Sequence, residues 1–240
     1  MPTARIVLGE TMNLLALETS TDAGSIALWR DGGIVERACP SGEPTGTTHS
    51  QTLLPCILGL LAEADLGCAD LDGIAFAAGP GAFTSLRVGC AIAQGLAFAH
   101  DLPLFPVGTL EAMALASGGE RVLVALDARM GEIYFGAYVG GVAQAPLVVL
   151  PPEAITLPEG DDWLACGNAL AAYPQLADRL QGRVTRCLPD LLPAAAAVAR
   201  LAAPRLARGE RIAAADAVPV YVRDKVALTV AERLAQGGRA

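Results

Sequence analysis

Short apolar runs separated by glycine and aspartate turns fill the first part of the chain. The Asp31-Gly32 dipeptide stands between two of these runs and is typical of a hairpin turn. Residues 1–11 lack such a pattern, and we interpret them as an N-terminal extension ahead of a sheet. The runs that predict strands are residues 13–18, 24–30, 33–39, 73–78 and 104–107.

Helical periodicity appears between these strands. Residues 49–65 have leucines at 53, 54, 58 and 61, the spacing of one helical face. A second helix is predicted from residue 84 to about residue 100, where the hydroxyl of Thr84 can cap the first turn. Thr109 is expected to begin a third helix. The first half therefore predicts mixed α/β structure.

The pattern restarts after residue 108. Residues 121–127 predict a strand that ends in an acid, followed by a turn and an alternating strand over residues 132–138. This order repeats that of residues 14–30, which suggests two related α/β halves. We expect domains at residues 12–108 and 109–240, with the C-terminal segment free to return to the first half. Later features predict a strand at residues 163–166 and an alanine-rich helix at residues 193–208.

Composition narrows the classes of function. The chain is 53% hydrophobic and 18% charged, which is typical of a globular protein. Its net charge of −8 argues against an autonomous nucleic-acid binder, although the average leaves room for a local basic patch. The six cysteines form no CxxC pair and are interpreted as reduced structural residues. No run is long enough for a signal peptide or a membrane span, so a cytoplasmic protein without membrane contact is expected.

The stretch GPGAFT, residues 79–84, raises the main question of chemistry. A glycine-rich turn before a helix can bind a phosphate, or it can simply allow a tight turn against a neighbouring strand. Spacing alone leaves both readings open, because the stretch is neither GxxxxGKS nor GxGxxG and the only lysine is Lys225. Two strand-terminal acids could hold Mg²⁺ or could be ordinary polar residues. The candidate nucleotide-binding residues are Glu18, Gly79, Gly81, Thr84 and Asp127.

Other catalytic signals are absent from the sequence. The two histidines, His49 and His100, form no HxxxH or HExxH motif and are interpreted as helix-terminus residues. No serine or cysteine lies in a nucleophile elbow. We therefore predict no catalytic residue and no metal ligand. The small residues of the second helix, Gly89 and Ala93 among them, allow close approach of another helix or burial against the protein's own sheet.

Five blocks of the sequence form a recognisable series, namely MNLLALETST (12–21), HSQTLLPCI (49–57), GPGAFTSLRVGCAIAQGLA (79–97), ALDARMGEIYFGAY (125–138) and PVYVRDKVA (219–227). Together they resemble the TsaB (YeaZ) family, bacterial proteins required for threonylcarbamoyladenosine (t6A) at position 37 of tRNA. The resemblance covers nearly the whole chain from Met12, in the family's order. The chain departs from the family at Ala82 and Ser85, where the family usually has serine and glycine, and at Glu18, where it usually has aspartate.

The resemblance implies two tandem RNase H-like halves of the actin-like ATPase (ASKHA) architecture. It implies a non-catalytic scaffold that is a paralogue of the catalytic subunit TsaD, binds it through helices of the first half, permits a TsaE-type ATPase to join, and forms a homodimer when alone. It implies no cofactor beyond weak ATP or ADP binding, and only indirect contact with tRNA. The alternatives are an ATP-dependent phosphotransferase of the actin-like class and, on paralogy alone, a metallopeptidase or metal-dependent acyltransferase. The implied partner contacts are His49, Leu53, Leu54, Arg87, Gly89 and Ala93.

Overall fold

A computed structural model describes residues 11–42 and 46–222 of the 240-residue chain. The predicted N-terminal extension, apart from its last residue, lies outside these ranges. So do residues 223–227 of the C-terminal block.

The first half is built on a five-stranded sheet in the order β3-β2-β1-β4-β5. The first three strands pair antiparallel, whereas β4 and β5 add to β1 in parallel. Asp31 and Gly32 join β2 to β3 with φ values of +48° and +87°, as a two-residue hairpin turn requires. The strands are β1 (Asn13–Glu18), β2 (Ser25–Arg30), β3 (Gly33–Ala38), β4 (Gly73–Gly79) and β5 (Leu104–Gly108).

Two helices cover one face of this sheet, α1 (His49–Glu63) and α2 (Phe83–His100). Their inward apolar side chains join those of the strands in one core cluster. The prediction that Thr84 caps α2 is wrong, because the N-cap is Ala82 and no side chain bonds to the first turn. Thr84 is instead the second residue of the helix.

The second half repeats the topology of the first. Its sheet has the order β11-β10-β6-β7-β8, with β9 also paired to β7. The central strand again has an antiparallel hairpin partner on one side and two parallel strands on the other. The strands are β6 (Arg121–Arg129), β7 (Glu132–Val139), β8 (Val142–Ala143), β9 (Val148–Leu150), β10 (Trp163–Cys166) and β11 (Val184–Leu188).

Helices of the second half lie on both sides of its sheet. Helix α3 (Thr109–Ser117) packs on one face, and the short helices α4 (Ala169–Ala172) and α5 (Gln175–Leu180) pack on the other. The tandem α/β fold predicted from the sequence is confirmed by this repeated topology.

The last described helix, α6 (Ala195–Ala207), returns to the first half. It packs on the face of the first sheet opposite α1 and α2, where a second core cluster forms mainly from alanines. The amide of Ala195 donates a hydrogen bond to Ser25 Oγ at 2.8 Å, and the amide of Ala196 donates to Glu36 Oε1 at 3.0 Å. The first sheet is therefore enclosed on both faces.

No helix in the described ranges is long and apolar enough to cross a membrane. All six cysteines lie within those ranges as free thiols, three of them buried.

Candidate functional site

Glu18 ends β1 and is completely buried. Its Oε1 accepts a hydrogen bond from the amide of Ser20 at 2.5 Å, while Oε2 has no hydrogen-bond partner among the described residues. Burial raises the pKa of this carboxyl group from 4.5 to about 7, although hydrogen bonds from Ser20 oppose the shift. Glu18 thus stabilises the turn that follows β1 through a buried hydrogen bond.

Asp127 stands at the corresponding position near the end of β6. Its Oδ1 accepts hydrogen bonds from the amide of Arg129 and the hydroxyl of Tyr173, both at 2.8 Å, and Oδ2 lies 3.3 Å from Arg129 Nη1. The amide of Asp127 donates to Asn168 Oδ1 at 2.9 Å. In both halves, the carboxylate of the strand-terminal acid therefore accepts a hydrogen bond from the backbone amide two residues later. That amide is then not available to bind a phosphate.

The glycines of the GPGAFT turn are required by neighbouring segments of the same chain. A Cβ atom at Gly81 would lie 2.5 Å from the carbonyl oxygen of Ser20, which also accepts a hydrogen bond from the amide of Ala82 at 2.8 Å. Gly79 has φ +112°, and a Cβ atom there would lie 3.0 Å from the carbonyl oxygen of Val220. The described geometry favours the tight turn over the phosphate loop, because the amide of Ala82 within the turn and the amide of Ser20 beside it already donate hydrogen bonds inside the protein.

Gly89 and Ala93 face inward, contrary to the prediction that they contact a partner. A Cβ atom at Gly89 would overlap Thr19 Oγ1, and that hydroxyl donates to the carbonyl oxygen of Ser85 at 3.0 Å. Ala93 is fully buried in the core beneath α2. The small residues on this side of α2 let the helix lie against the β1–β2 turn.

Replacing Gly89 with Ala should lower the free energy of unfolding by about 1–3 kcal/mol, because the added methyl group overpacks the Thr19 contact. The matched control is Gly95→Ala in the same helix, where a Cβ atom meets nothing within 4 Å. That change should stabilise the protein by about 0.5–1 kcal/mol through helix propensity. Urea denaturation of both variants measures the difference, and equal effects at the two positions would contradict the inward placement.

His49 and Leu53, also predicted as partner contacts, are buried and cannot be reached from solvent. His49 Nδ1 lies 3.3 Å from Ser41 Oγ, and burial lowers the pKa of the imidazole. Leu54 and Arg87 are exposed. The prediction that four leucines share one helical face is also wrong, because the sheet covers only one side of α1.

The outward sides of α1 and α2 carry apolar and small residues. Leu58 is 50% exposed and Phe98 is 85% exposed. Neither residue was predicted as a partner contact. The sequence did carry a signal, because both helices have more apolar residues than one buried face requires. We call this set the α1–α2 surface, which comprises Leu54, Leu58, Ala91, Gly95 and Phe98.

A cleft of about 290 Å³ lies between the two halves. Of the predicted nucleotide-binding residues, Gly81 and Asp127 line it, whereas Glu18, Gly79 and Thr84 do not. No lysine lines the cleft, and no group of three or more His, Cys, Asp or Glu side chains in the described part of the chain is arranged to hold a metal ion. Other lining residues are Ser20, Thr21, Asp22, Ala23, Ala82, Leu126, Ala128, Arg129, Tyr134, Asn168 and Leu192.

Comparison with known proteins defines the class. The family model for TsaD, tRNA N6-adenosine threonylcarbamoyltransferase, matches residues 32–230. The protein is thus TsaD-related and has the actin-like ATPase fold that the repeated sheets display.

Full-length relatives give the particular family. The chain is 36% identical to the tRNA threonylcarbamoyladenosine biosynthesis protein TsaB of Escherichia coli over 90% of its own length and 96% of that protein. It is 35% identical to TsaB of Haemophilus influenzae over the same shares. A solved structure of YeaZ from Pseudomonas aeruginosa is 37% identical, covers 88% of this chain and 99% of that one, and has a TM-score of 0.77. The chain belongs to the TsaB (YeaZ) family of the t6A biosynthesis pathway.

Proposed function

We propose that this protein is a non-catalytic scaffold subunit of bacterial t6A37 synthesis. It binds a TsaD-type catalytic subunit through the α1–α2 surface and thereby enables a TsaE-type ATPase to join. In the absence of that subunit, the same surface pairs two copies of the chain. The observation that carries this proposal is the exposed apolar α1–α2 surface, led by Phe98.

The composition of the two helices supports a docking role. Glu63 and Arg87 are the only residues of Asp, Glu, Lys or Arg type in α1 and α2. Depletion of charge around exposed large apolar side chains is typical of the centre of a protein interface. Ala91 and Gly95 lie beside Phe98 on the outward side of α2, where small side chains allow a partner helix to approach closely.

The bonding of the two strand-terminal acids supports the absence of catalysis. Glu18 binds the amide of Ser20, and Asp127 is occupied by Arg129 and Tyr173. Glu18 is completely buried and does not line the cleft, and both carboxylate oxygens of Asp127 already have partners. An actin-like phosphotransferase requires an acid that acts as a general base toward the substrate hydroxyl.

The cleft between the halves favours a second candidate, an ATP-dependent phosphotransferase. Asp127 and Asn168 line it, but its volume of about 290 Å³ is at the low end for ligand pockets. Calorimetry with millimolar Mg-ATP distinguishes the candidates, because a scaffold gives no more than weak heat and no phosphoryl transfer. Stoichiometric tight binding with turnover would favour the phosphotransferase.

Reconstitution tests the scaffold proposal. The full chain should copurify with a TsaD-type subunit from the same organism. With that subunit, a TsaE-type ATPase, threonine, bicarbonate, ATP and the enzyme that forms the threonylcarbamoyl donor, t6A should appear on tRNA only when this chain is present. Formation of t6A without it, or by this chain in place of the TsaD-type subunit, would contradict the proposal.

A further inference from the structure

Arg87 is held rigidly on the outside of α2. Its guanidinium carbon lies 3.8 Å from the centre of the Phe83 ring and 5.6 Å from that of Tyr221. Its Nε donates a hydrogen bond to the hydroxyl of Tyr221 at 2.9 Å. Such stacking fixes the plane of a guanidinium group that would otherwise move freely.

The segment that carries Tyr221 is itself tied to the first half. The amide of Val220 donates to the carbonyl oxygen of Ala78 at 2.7 Å, and Gln94 Nε2 donates to the carbonyl oxygens of Ala214 and Ala217 at 2.9 and 3.0 Å. The position of Arg87 is therefore set by two separate parts of the chain.

The terminal nitrogens of Arg87 have no acidic partner within the described residues. Arg37, Arg183 and Arg205 each form an ion pair with a carboxylate, whereas no carboxylate oxygen in those ranges lies within 4.0 Å of Arg87. Because Nε is already bonded to Tyr221, Nη1 and Nη2 remain as a pair of parallel donors. This pair matches the two oxygens of one carboxylate.

Arg87 adjoins the α1–α2 surface. It lies one helical turn before Ala91, and Gly95 and Phe98 continue along the exposed side of the helix. Arginine is one of the residue types that are enriched at the hot spots of protein interfaces. We propose that Arg87 is the charged anchor of this surface and that it binds a carboxylate of the TsaD-type subunit. This inference rests on the docking function proposed above.

The surroundings favour a carboxylate over a phosphate. The small cavity beside Phe83 is lined mainly by apolar residues, and no cationic side chain lines it. A single guanidinium group between apolar side chains is suited to a ligand group with one negative charge, which is the charge of a carboxylate.

Binding of the full chain to the TsaD-type subunit, measured by calorimetry, tests the inference. Arg87→Met should raise the Kd about tenfold or more, and Arg87→Lys should recover only part of the affinity because the paired donors are lost. The Kd of the wild type should rise with ionic strength more steeply than that of Arg87→Met. The matched control is Arg186→Met on β11, an exposed arginine in the second half, and its Kd should equal that of the wild type.

Tyr221→Phe keeps the ring and removes only the hydroxyl, so it should give a smaller loss, about threefold, with unchanged thermal stability. The dependence of its Kd on ionic strength should match that of the wild type. A variant with a misfolded surface would not keep this dependence. An unchanged Kd in Arg87→Met would overturn the role of Arg87 alone, whereas a wild-type chain that fails to bind would overturn the docking function as well. Competition by millimolar inorganic phosphate would show a phosphate site and overturn the carboxylate assignment.

Discussion

Replacing Phe98 with Asp is expected to weaken binding of the TsaD-type subunit by about a hundredfold or more. Hot-spot residues of an interface contribute about 2–4 kcal/mol each, and every 1.4 kcal/mol is tenfold in Kd. The side chain is 85% exposed in the isolated protein, so the change opens no cavity and should leave the melting temperature near that of the wild type. Calorimetry with the full chain gives the Kd.

The control for Phe98→Asp is Val142→Asp in β8, which adds the same charge at a side chain that is 66% exposed in the second half. It should bind the TsaD-type subunit like the wild type. In sedimentation experiments without that subunit, Phe98→Asp should also shift any homodimer toward monomer. Wild-type affinity in Phe98→Asp would remove the α1–α2 surface as the docking site.

The buried carboxyl group of Glu18 is expected to lower the stability of the protein as the pH rises from about 5 to about 8. The buried imidazole of His49, whose pKa is lowered, opposes this trend at the acidic end of the range. The pKa of Glu18 in the folded protein is about 7 against an ordinary value of 4.5, so the folded state keeps a proton that the unfolded chain releases. The stabilising contribution is fully present below pH 4.5 and is lost as the pH rises through 7. At 1.36 kcal/mol per pKa unit, the loss approaches about 3 kcal/mol.

Glu18→Gln should remove most of this pH dependence, because the amide oxygen still accepts the hydrogen bond from Ser20 without carrying a charge. Urea denaturation across this pH range measures it, and at about pH 8 the variant should be more stable than the wild type. Glu120→Gln changes an exposed glutamate and serves as the control, which should keep the wild-type dependence. A wild-type pH profile in Glu18→Gln would show that Glu18 does not titrate in this range.

Local sequence signals predicted the elements of the fold well. The Asp31-Gly32 hairpin and the buried strand at residues 73–78 depend on residues that are neighbours in the sequence. Both could therefore be predicted from the sequence alone. The short elements β8, β9, β11, α4 and α5 were missed because each has too few residues to show a clear period. The start of α2 was misplaced by one residue, because Thr84 has the chemistry of an N-cap but Ala82 occupies that position.

The candidate site was less predictable because its geometry depends on distant residues. Gly89 is small to accommodate Thr19 from the β1–β2 turn, and no periodicity within α2 indicates that contact. Leu53 and Leu54 are equally apolar, but the sheet covers only one of them. The sequence suggested that Glu18 could hold Mg²⁺, whereas its hydrogen bond to Ser20 depends on the path of the following turn.

The return of α6 to the first sheet affects how the protein is made in the cell. Ala195 bonds to Ser25 across 170 positions of sequence, so one face of the first sheet stays bare until most of the polypeptide has left the ribosome. Throughout that interval Ala16, Ala27 and Ala75, which end up beneath α6, are open to water and to chaperones. A nascent chain that terminates before residue 195 lacks this cover and becomes a substrate for proteolysis.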